Sequence, residues 1–232
     1  MTLSDPSSEG RVPDAVLALS KRLGCVGRSP NGYVELRQSG QMRQDKASSW
    51  MPFDAHQRIE ATRCAFDWNA RTGPLKLVHV RDAFDGSRGA LSVKLFGVLP
   101  IVRPPHSPEL DRGELLRYLA ELAWAPAAIL SNPNLAWRVE SEKHLIVTTG
   151  EQPRQAEIRL TLDEEGLIVE AYAKDRPRAI RNRLLEAEWR GVFSKYQRRE
   201  GRLIPTSGEV GWIVKGEYEP VWRGDLVAWR AA

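Results

Sequence analysis

Residues 154–173, RQAEIRLTLDEEGLIVEAYA, decide the fold. The first half of this stretch alternates polar and apolar side chains, and its apolar set is Ala156, Ile158, Leu160 and Leu162. A period of two is typical of a strand that rests one face on a core. DEEG at residues 163–166 has the composition of a tight turn, and residues 167–173 read as the returning strand. The stretch therefore predicts an antiparallel β-hairpin.

The same pattern recurs outward along the chain at intervals of roughly ten residues. Further strands are predicted at residues 33–38, 75–82, 90–96, 143–149, 184–196, 210–214 and 226–230. Residues 53–68 read as one longer extended stretch whose alternation breaks midway, as at a bulge. A short helix is predicted at residues 13–23, ended by Gly24. A sheet of about eight to eleven strands must curl or close.

One long helix is predicted at residues 111–130, with Asp111 and Glu114 as its capping pair and Pro126 kinking or ending it. Its apolar arc packs on the sheet. Its other arc carries Glu114, Arg117, Tyr118, Glu121, Trp124 and Ala125. That arc is either a solvated face with weak ion pairs or a polar cluster that points into a cavity.

The predicted fold class is α+β and strand-rich, a large curved antiparallel sheet, or partial barrel, with the main helix packed on its concave side. Residues 1–12 are rich in Ser, Pro, Gly and charge and are predicted to be a disordered tail. Residues 13–232 then form a single domain, within which the proline-rich residues 100–108 are a connecting loop.

The helix also carries a resemblance. Residues 112–126, RGELLRYLAELAWAP, resemble the signature helix of an uncharacterised family of bacterial proteins, classified only as a domain of unknown function. Shorter matching pieces are FDWNA at 66–70, DAFDGSRG at 82–89, GRLIP at 201–205 and EVGW at 209–212. The overall pattern is similar to the half-barrels of periplasmic lipoprotein carriers. That similarity implies a concave cavity for acyl chains.

The leading hypothesis is a protein that binds a small hydrophobic, amphipathic or lipid ligand in a cavity between sheet and helix. Arg117, Tyr118 and Glu121, with Glu114 beside them, would orient the polar end of the ligand. Trp68 and Trp124 would line the apolar part. Eight tryptophans are many for 232 residues, and they either fill a core or line such a pocket.

A second hypothesis is a hydrolase-type enzyme that uses a pair of carboxylates, because two such groups at a suitable distance can act as acid and base. The candidates are Asp67, Asp82, Asp85, Glu114 and Glu121. Asp85 is followed by Gly86, so it also reads simply as a turn residue. No catalytic residue is assigned from the sequence.

A third hypothesis rests on residues 174–202, which carry ten basic and four acidic side chains, while the rest of the chain is slightly acidic. Arg176, Arg178, Arg181 and Arg183 would bind an anionic membrane surface or a nucleic-acid backbone. The alternative is a solvated hairpin followed by a strand whose aromatic side chains pack inward. No recognised nucleic-acid motif is present.

The amino-acid composition excludes several classes of protein and of binding site. A hydrophobic content of 42% excludes a disordered chain, and two cysteines exclude a disulfide scaffold, so Cys25 and Cys64 read as buried thiols. The four histidines lack metal-ligand spacing and no phosphate-binding loop occurs, so neither metal nor cofactor is expected. Without a signal peptide the chain reads as cytoplasmic as written, or as extracytoplasmic if a leader or anchor was removed.

Overall fold

The computed structural model describes residues 12–27, 32–180 and 183–232, without the side chains of residues 180 and 183. The predicted tail therefore lies, except for its last residue, outside the described residues. The helices are α1 (Asp14–Arg22), α2 (Pro108–Ala120) and α3 (Ala128–Ser131), and 3-10 turns occupy Pro74–Lys76 and Glu121–Ala123.

The strands form one sheet. They are β1 (Tyr33–Met42), β2 (Met51–Glu60), β3 (Phe66–Thr72), β4 (Val78–Phe84), β5 (Gly89–Leu95), β6 (Leu99–Val102), β7 (Ala136–Ser141), β8 (His144–Thr149), β9 (Ala156–Leu162), β10 (Ile168–Ile180), β11 (Arg183–Arg199), β12 (Arg202–Val214) and β13 (Glu217–Ala231).

The first strand lies in the middle of this sheet, and the chain then forms one edge of the sheet before it forms the other. The strand order is β6-β5-β4-β3-β2-β1-β13-β12-β11-β10-β9-β8-β7, and the strands are antiparallel. The first six strands lead to the edge at β6, α2 crosses the concave side to the other edge, and the last seven strands return to pair with β1. The predicted fold class, a curved antiparallel sheet around one main helix, is confirmed.

The number of strands was underestimated, because the sheet has 13. The single stretch expected at residues 53–68 is two strands, β2 and β3, joined by a turn at residues 61–65. The Glu60 N–H donates to the Ala65 carbonyl at 2.9 Å, which closes that turn. The break in alternation is thus a reversal of the chain rather than a bulge.

The main helix begins earlier and ends earlier than predicted. Ser107 caps α2, its hydroxyl accepting from the Leu110 N–H at 3.2 Å, and Pro108 occupies the first turn, where its missing N–H costs nothing. Asp111 is therefore inside the helix, where its carboxylate accepts from the Gly89 N–H of β5 at 2.7 Å. Regular helix stops at Ala120, and Pro126 lies between the 3-10 turn and α3.

Candidate ligand-binding cavity

A cavity of about 250 Å³ lies between the C-terminal part of α2 and the concave face of the sheet. Strands from both halves of the sheet supply its walls. The lining residues are Gln38, Trp68, Arg117, Ala120, Glu121, Trp124, Arg176, Trp189, Phe193, Gly208, Glu209, Val210, Trp212, Val221 and Trp222. Its surface is mostly apolar, as in sites that bind small organic molecules.

Aromatic rings in fixed orientations make the apolar wall. Trp124 meets Phe193 edge-on with ring centroids 5.3 Å apart, and it meets Trp222 at 6.2 Å. Both buried indole N–H groups in this wall have partners: Trp124 donates to the Pro205 carbonyl at 3.0 Å, and Trp68 donates to Gln38 at 2.9 Å. The rings are therefore held by hydrogen bonds as well as by packing.

A row of glycines across three strands makes room for these rings. Gly40 of β1 pairs with Gly224 of β13, which pairs with Gly208 of β12. A Cβ atom on Gly208 would lie 3.0 Å from the Trp124 ring, and one on Gly224 would lie 2.7 Å from the Trp222 ring. A larger side chain at either position would push an indole out of place.

A buried ionic chain forms the polar end of the cavity. Arg117 makes an ion pair with Asp82 of β4 and a second one with Glu121 at 2.9 Å. Gln57 of β2 donates to the other oxygen of Glu121. Burial alone lowers the pKa of Arg117, but the charges of Glu121 and Asp82 outweigh it and raise the pKa above its ordinary value. Arg117 is therefore a permanent cation clamped between two carboxylates.

Glu114 lies behind this chain, next to Asp82. The Oε2 atom of Glu114 and the Oδ1 atom of Asp82 are both buried and lack a hydrogen-bond partner among the described residues. Burial, then the negative charge of Asp82, raises the pKa of Glu114 well above its ordinary value. A protonated Glu114 that donates to Asp82 would satisfy both oxygens.

Tyr118 faces away from the cavity. Its hydroxyl donates to the Glu60 carbonyl at 2.9 Å and accepts from Asn132 at 2.9 Å. These bonds tie α2 to the end of β2 and to the segment after α3. The polar arc of the helix is thus buried except for Arg117, which is half-buried between two carboxylates, and this rules out a solvated face.

Arg176 also lines the cavity, and a β-bulge places it there. The register of β10 against β11 shifts between Ala173 and Arg176, so the arginine follows the buried alanine onto the concave face. The Arg176 guanidinium lies 4.7 Å from the centre of the Trp189 ring. Burial lowers its pKa. Within the described part of the chain, no hydrogen bond or ion pair engages this guanidinium.

Arg178 is half-buried two positions further on and lies 5.1 Å from the centre of the Trp212 ring. Arg181 falls outside the described residues, and the side chain of Arg183 is not described. Arg176 and Arg178 thus contact the aromatic wall of the cavity.

The structure brings four of the six residues suggested for ligand binding to one cavity: Trp68, Arg117, Glu121 and Trp124. Sequence reasoning left out Trp189, Phe193, Trp212 and Trp222, which come from distant strands. The signal for two of them was present, since Trp189, Gly191 and Phe193 share one face of a strand. Arg176 had been assigned to a surface, because charge alone does not show which way a side chain points.

The remaining candidates are dispersed. Asp67 pairs with Arg81 on the convex face at 2.8 Å. Asp85 closes its own turn by accepting from the Ser87 and Arg88 N–H groups, both at 2.8 Å. Over the described ranges, no group of His, Cys, Asp and Glu is arranged to hold a metal ion. Cys25 and Cys64 are both buried free thiols.

The sheet and its enclosed helix define a class of curled half-barrels, and solved structures share this fold. A LolA superfamily protein from Nitrosomonas europaea matches with a TM-score of 0.50 and 9% identity, over 93% of this chain and 91% of that one. A putative outer membrane lipoprotein-sorting protein domain from Vibrio parahaemolyticus matches with a TM-score of 0.54 and 9% identity, over 94% and 91%. A DUF1329 family protein from Desulfovibrio piger matches with a TM-score of 0.51 and 12% identity, over 93% and 91%.

The chain belongs to a family of unknown function, DUF6544, whose model matches residues 2–224. Sequence comparison with curated proteins gives no significant match. In the part of the chain that the structure describes, no helix is long and apolar enough to span a membrane.

Proposed function

We propose that the protein binds a small amphipathic ligand in this cavity, with an anionic end group at Arg176 and an apolar body between the tryptophan rings. Arg176 is the observation that supports this most, since it lines an apolar cavity and no carboxylate of the described residues pairs with it. A half-buried cation without a counter-charge is costly, and a bound anion would relieve that cost.

The pairing of charges around the cavity favours an anion at Arg176. Asp82 and Glu121 are both engaged by Arg117, and burial beside Asp82 raises the pKa of Glu114, which favours its neutral form. Glu209 also lines the cavity but makes no ion pair with Arg176. Anionic groups such as carboxylate or phosphate make strong, paired hydrogen bonds to a guanidinium.

The volume limits the ligand. A cavity of about 250 Å³ equals roughly eight water molecules at ~30 Å³ each. One short acyl chain, or an aromatic group of similar size, fits that space. A ligand with several long chains would need the helix to move.

The comparisons support a lipid-like ligand. The Vibrio protein is described as a putative outer membrane lipoprotein-sorting protein domain, and it shares the fold, though only 9% of residues are identical. On the basis of this similarity we also propose that the protein lies outside the cytoplasm, and cell fractionation with an antibody against the native chain tests that location. Recovery with cytoplasmic markers alone would contradict it.

A carboxylate-dependent reaction has less support. Neither Asp82 nor Glu114 lines the cavity, and the two oxygens of Glu121 accept from Arg117 and Gln57. A ligand would meet no free carboxylate of this group. Binding is therefore the function that the geometry supports best.

A titration with decanoate and with decanol, followed by intrinsic tryptophan fluorescence, tests the proposal. Decanoate should give a saturable change, and decanol should bind more weakly because it lacks the charge. Arg176→Gln should weaken decanoate binding by about 1.5–3 kcal/mol and leave decanol unchanged.

Arg159→Gln is the matched control, because Arg159 lies 4.8 Å from the centre of the Tyr172 ring and lines no part of this cavity. It should bind decanoate as the native chain does. The proposal fails if neither probe saturates, or if both variants weaken decanoate binding equally.

A further inference from the structure

Two neighbouring turns at one end of the sheet expose large apolar side chains. Leu75, between β3 and β4, is 88% exposed. Phe96 and Val98, between β5 and β6, are 58% and 73% exposed. The Phe96 N–H donates to the Leu77 carbonyl at 2.8 Å, so the turns are joined. With Leu99 they form one patch, called here the apolar tip.

The backbone holds two of these side chains in an unfavourable conformation. Leu75 has φ +51° and Phe96 has φ +55°, the left-handed region in which glycine or asparagine is ordinary. Neither residue gains burial in return. Strain combined with exposure of this kind is typical of a functional surface.

A row that contains two cations, Arg71 and Lys94, lies directly behind the apolar tip on the convex face. Arg71, His79 and Lys94 pair across β3, β4 and β5, and they line a depression of about 530 Å³. Arg71 and Lys94 are exposed, and no described residue makes an ion pair with them. The nearby acids are already engaged, since Asp54 pairs with Lys76 and Asp67 pairs with Arg81.

On the concave face, apolar side chains lead from the apolar tip toward the cavity. Leu99, Leu95 and Val78 pair across β6, β5 and β4 and are exposed or half-buried. The same register continues through Thr72 to Phe53, whose ring lies 5.9 Å from that of Trp68. An apolar path therefore joins the tip to the cavity wall.

We propose that the apolar tip docks on an anionic phospholipid bilayer. Leu75, Phe96 and Val98 enter the boundary between headgroups and acyl chains, and Arg71 and Lys94 contact the phosphates. Apolar side chains beside cations are the combination that binds membrane surfaces. This docking does not require the cavity to hold a ligand.

The charge pattern favours a bilayer over a second copy of the chain. A symmetric contact between two apolar tips would bring two cationic rows together, and like charges oppose such a contact. Anionic headgroups complement the same row.

Co-sedimentation of the full chain with vesicles tests the proposal. The native chain should bind phosphatidylglycerol vesicles and bind phosphatidylcholine vesicles less. Phe96→Asn should lower the affinity at least about tenfold. Asparagine tolerates a left-handed backbone, so this variant keeps the fold. The control is Val227→Thr, at a strand residue that is also 58% exposed.

The charges are tested in the same assay. Arg71→Gln and Lys94→Gln should each lower binding to phosphatidylglycerol about fivefold, a change that high salt should remove. Arg37→Gln and Arg138→Gln, also made one at a time, each change the net charge of the chain by the same amount at exposed sites away from the tip. These controls should leave binding unchanged.

The proposal is overturned if the native chain binds neither kind of vesicle or if Phe96→Asn binds as the native chain does. It is also overturned if Arg37→Gln and Arg138→Gln lower binding as much as Arg71→Gln and Lys94→Gln do. It is also overturned if light scattering shows a dimer that Phe96→Asn disrupts while vesicles stay unbound. The Arg176→Gln variant should still sediment with vesicles. This result would distinguish membrane docking by the apolar tip from ligand binding in the cavity.

Discussion

The strands under the helix and the edge strand β6 both carry large apolar side chains, and the exposure of those side chains is opposite. In the half formed by β8, β9 and β10, inward side chains such as Leu145, Ile158 and Leu160 are 0% exposed. At the other edge, Leu99 and Ile101 of β6 are each 57% exposed. The helix α2 packs most against β9 and β10 and also against β5, and it does not cover β6. Burial is therefore set by where the helix lies, and strand pattern alone does not determine it.

The strands under the helix therefore have a structural role, and the open edge at β6 is free to contact a partner. The covered half holds the helix in place, and the cavity lies where the helix meets strands from the centre of the sheet. The open edge supplies the apolar tip. Substitutions under the helix should therefore lower the stability of the fold, and substitutions at the open edge should have little effect on it.

The largest expected effect is at the boundary between the halves. Arg117→Ala should lower the free energy of unfolding by about 4 kcal/mol, because Asp82 and Glu121 would lose the cation that compensates them in a buried site. Arg81→Ala, which breaks the exposed pair with Asp67, should cost about 1 kcal/mol or less. Urea denaturation measures both, and equal losses would contradict a buried ionic chain.

The next effect compares the two halves directly. Leu160→Ala in the covered half should cost about 3 kcal/mol, because it opens a void under the helix. Leu99→Ala at the open edge should change stability by no more than about 0.5 kcal/mol. A large loss from Leu99→Ala would mean that the edge is covered in solution.

A smaller effect depends on pH. The raised pKa of Glu114 means that the folded chain holds this proton more tightly than the unfolded chain. Below the ordinary pKa near 4.5 both states are protonated and the group contributes nothing. As pH rises above it, only the unfolded state releases the proton, so folding is penalised progressively up to the raised pKa.

Glu114→Gln should remove that penalty, because glutamine can donate to Asp82 without a titratable proton. Melting temperatures of both chains at several pH values measure the difference. The variant should gain on the native chain as pH rises from about 5 to 8. A difference that does not depend on pH would show that Glu114 is not protonated in the fold.

The smallest effect concerns the apolar tip. Phe96→Asn should leave the stability unchanged or raise it by up to about 1 kcal/mol, because asparagine accepts the left-handed backbone at φ +55°. Thermal unfolding of this variant provides the measurement. A loss of more than 1 kcal/mol would show that the phenylalanine ring supports the fold rather than a partner.

The sequence was sufficient wherever local pattern governs structure. The hairpin at residues 154–173 is present as β9 and β10, and its four apolar residues face the core. The turn at residues 61–65 was missed because ATRCA contains neither glycine nor proline. The start of α2 was missed because Asp111 and Glu114 imitate a capping pair while Ser107 provides the cap.

The cavity required contacts that a single sequence does not show. Arg117, Glu121 and Trp124 were proposed because they share one face of the predicted helix over about two turns, with acids and aromatics at helical spacing. Arg176 was not assigned to the site, because a bulge shifts it onto the concave face and no pattern marks that bulge. The open edge was not foreseen, because residues 100–102, which belong to β6, were predicted to be part of a proline-rich loop.

A crystal structure of the chain grown with decanoate tests the central claim most directly. We expect density for the chain of the probe between the rings of Trp124, Trp189 and Trp222, with its carboxylate within hydrogen-bond distance of the Arg176 guanidinium. A cavity filled by ordered water, or a probe bound only elsewhere, would contradict the account.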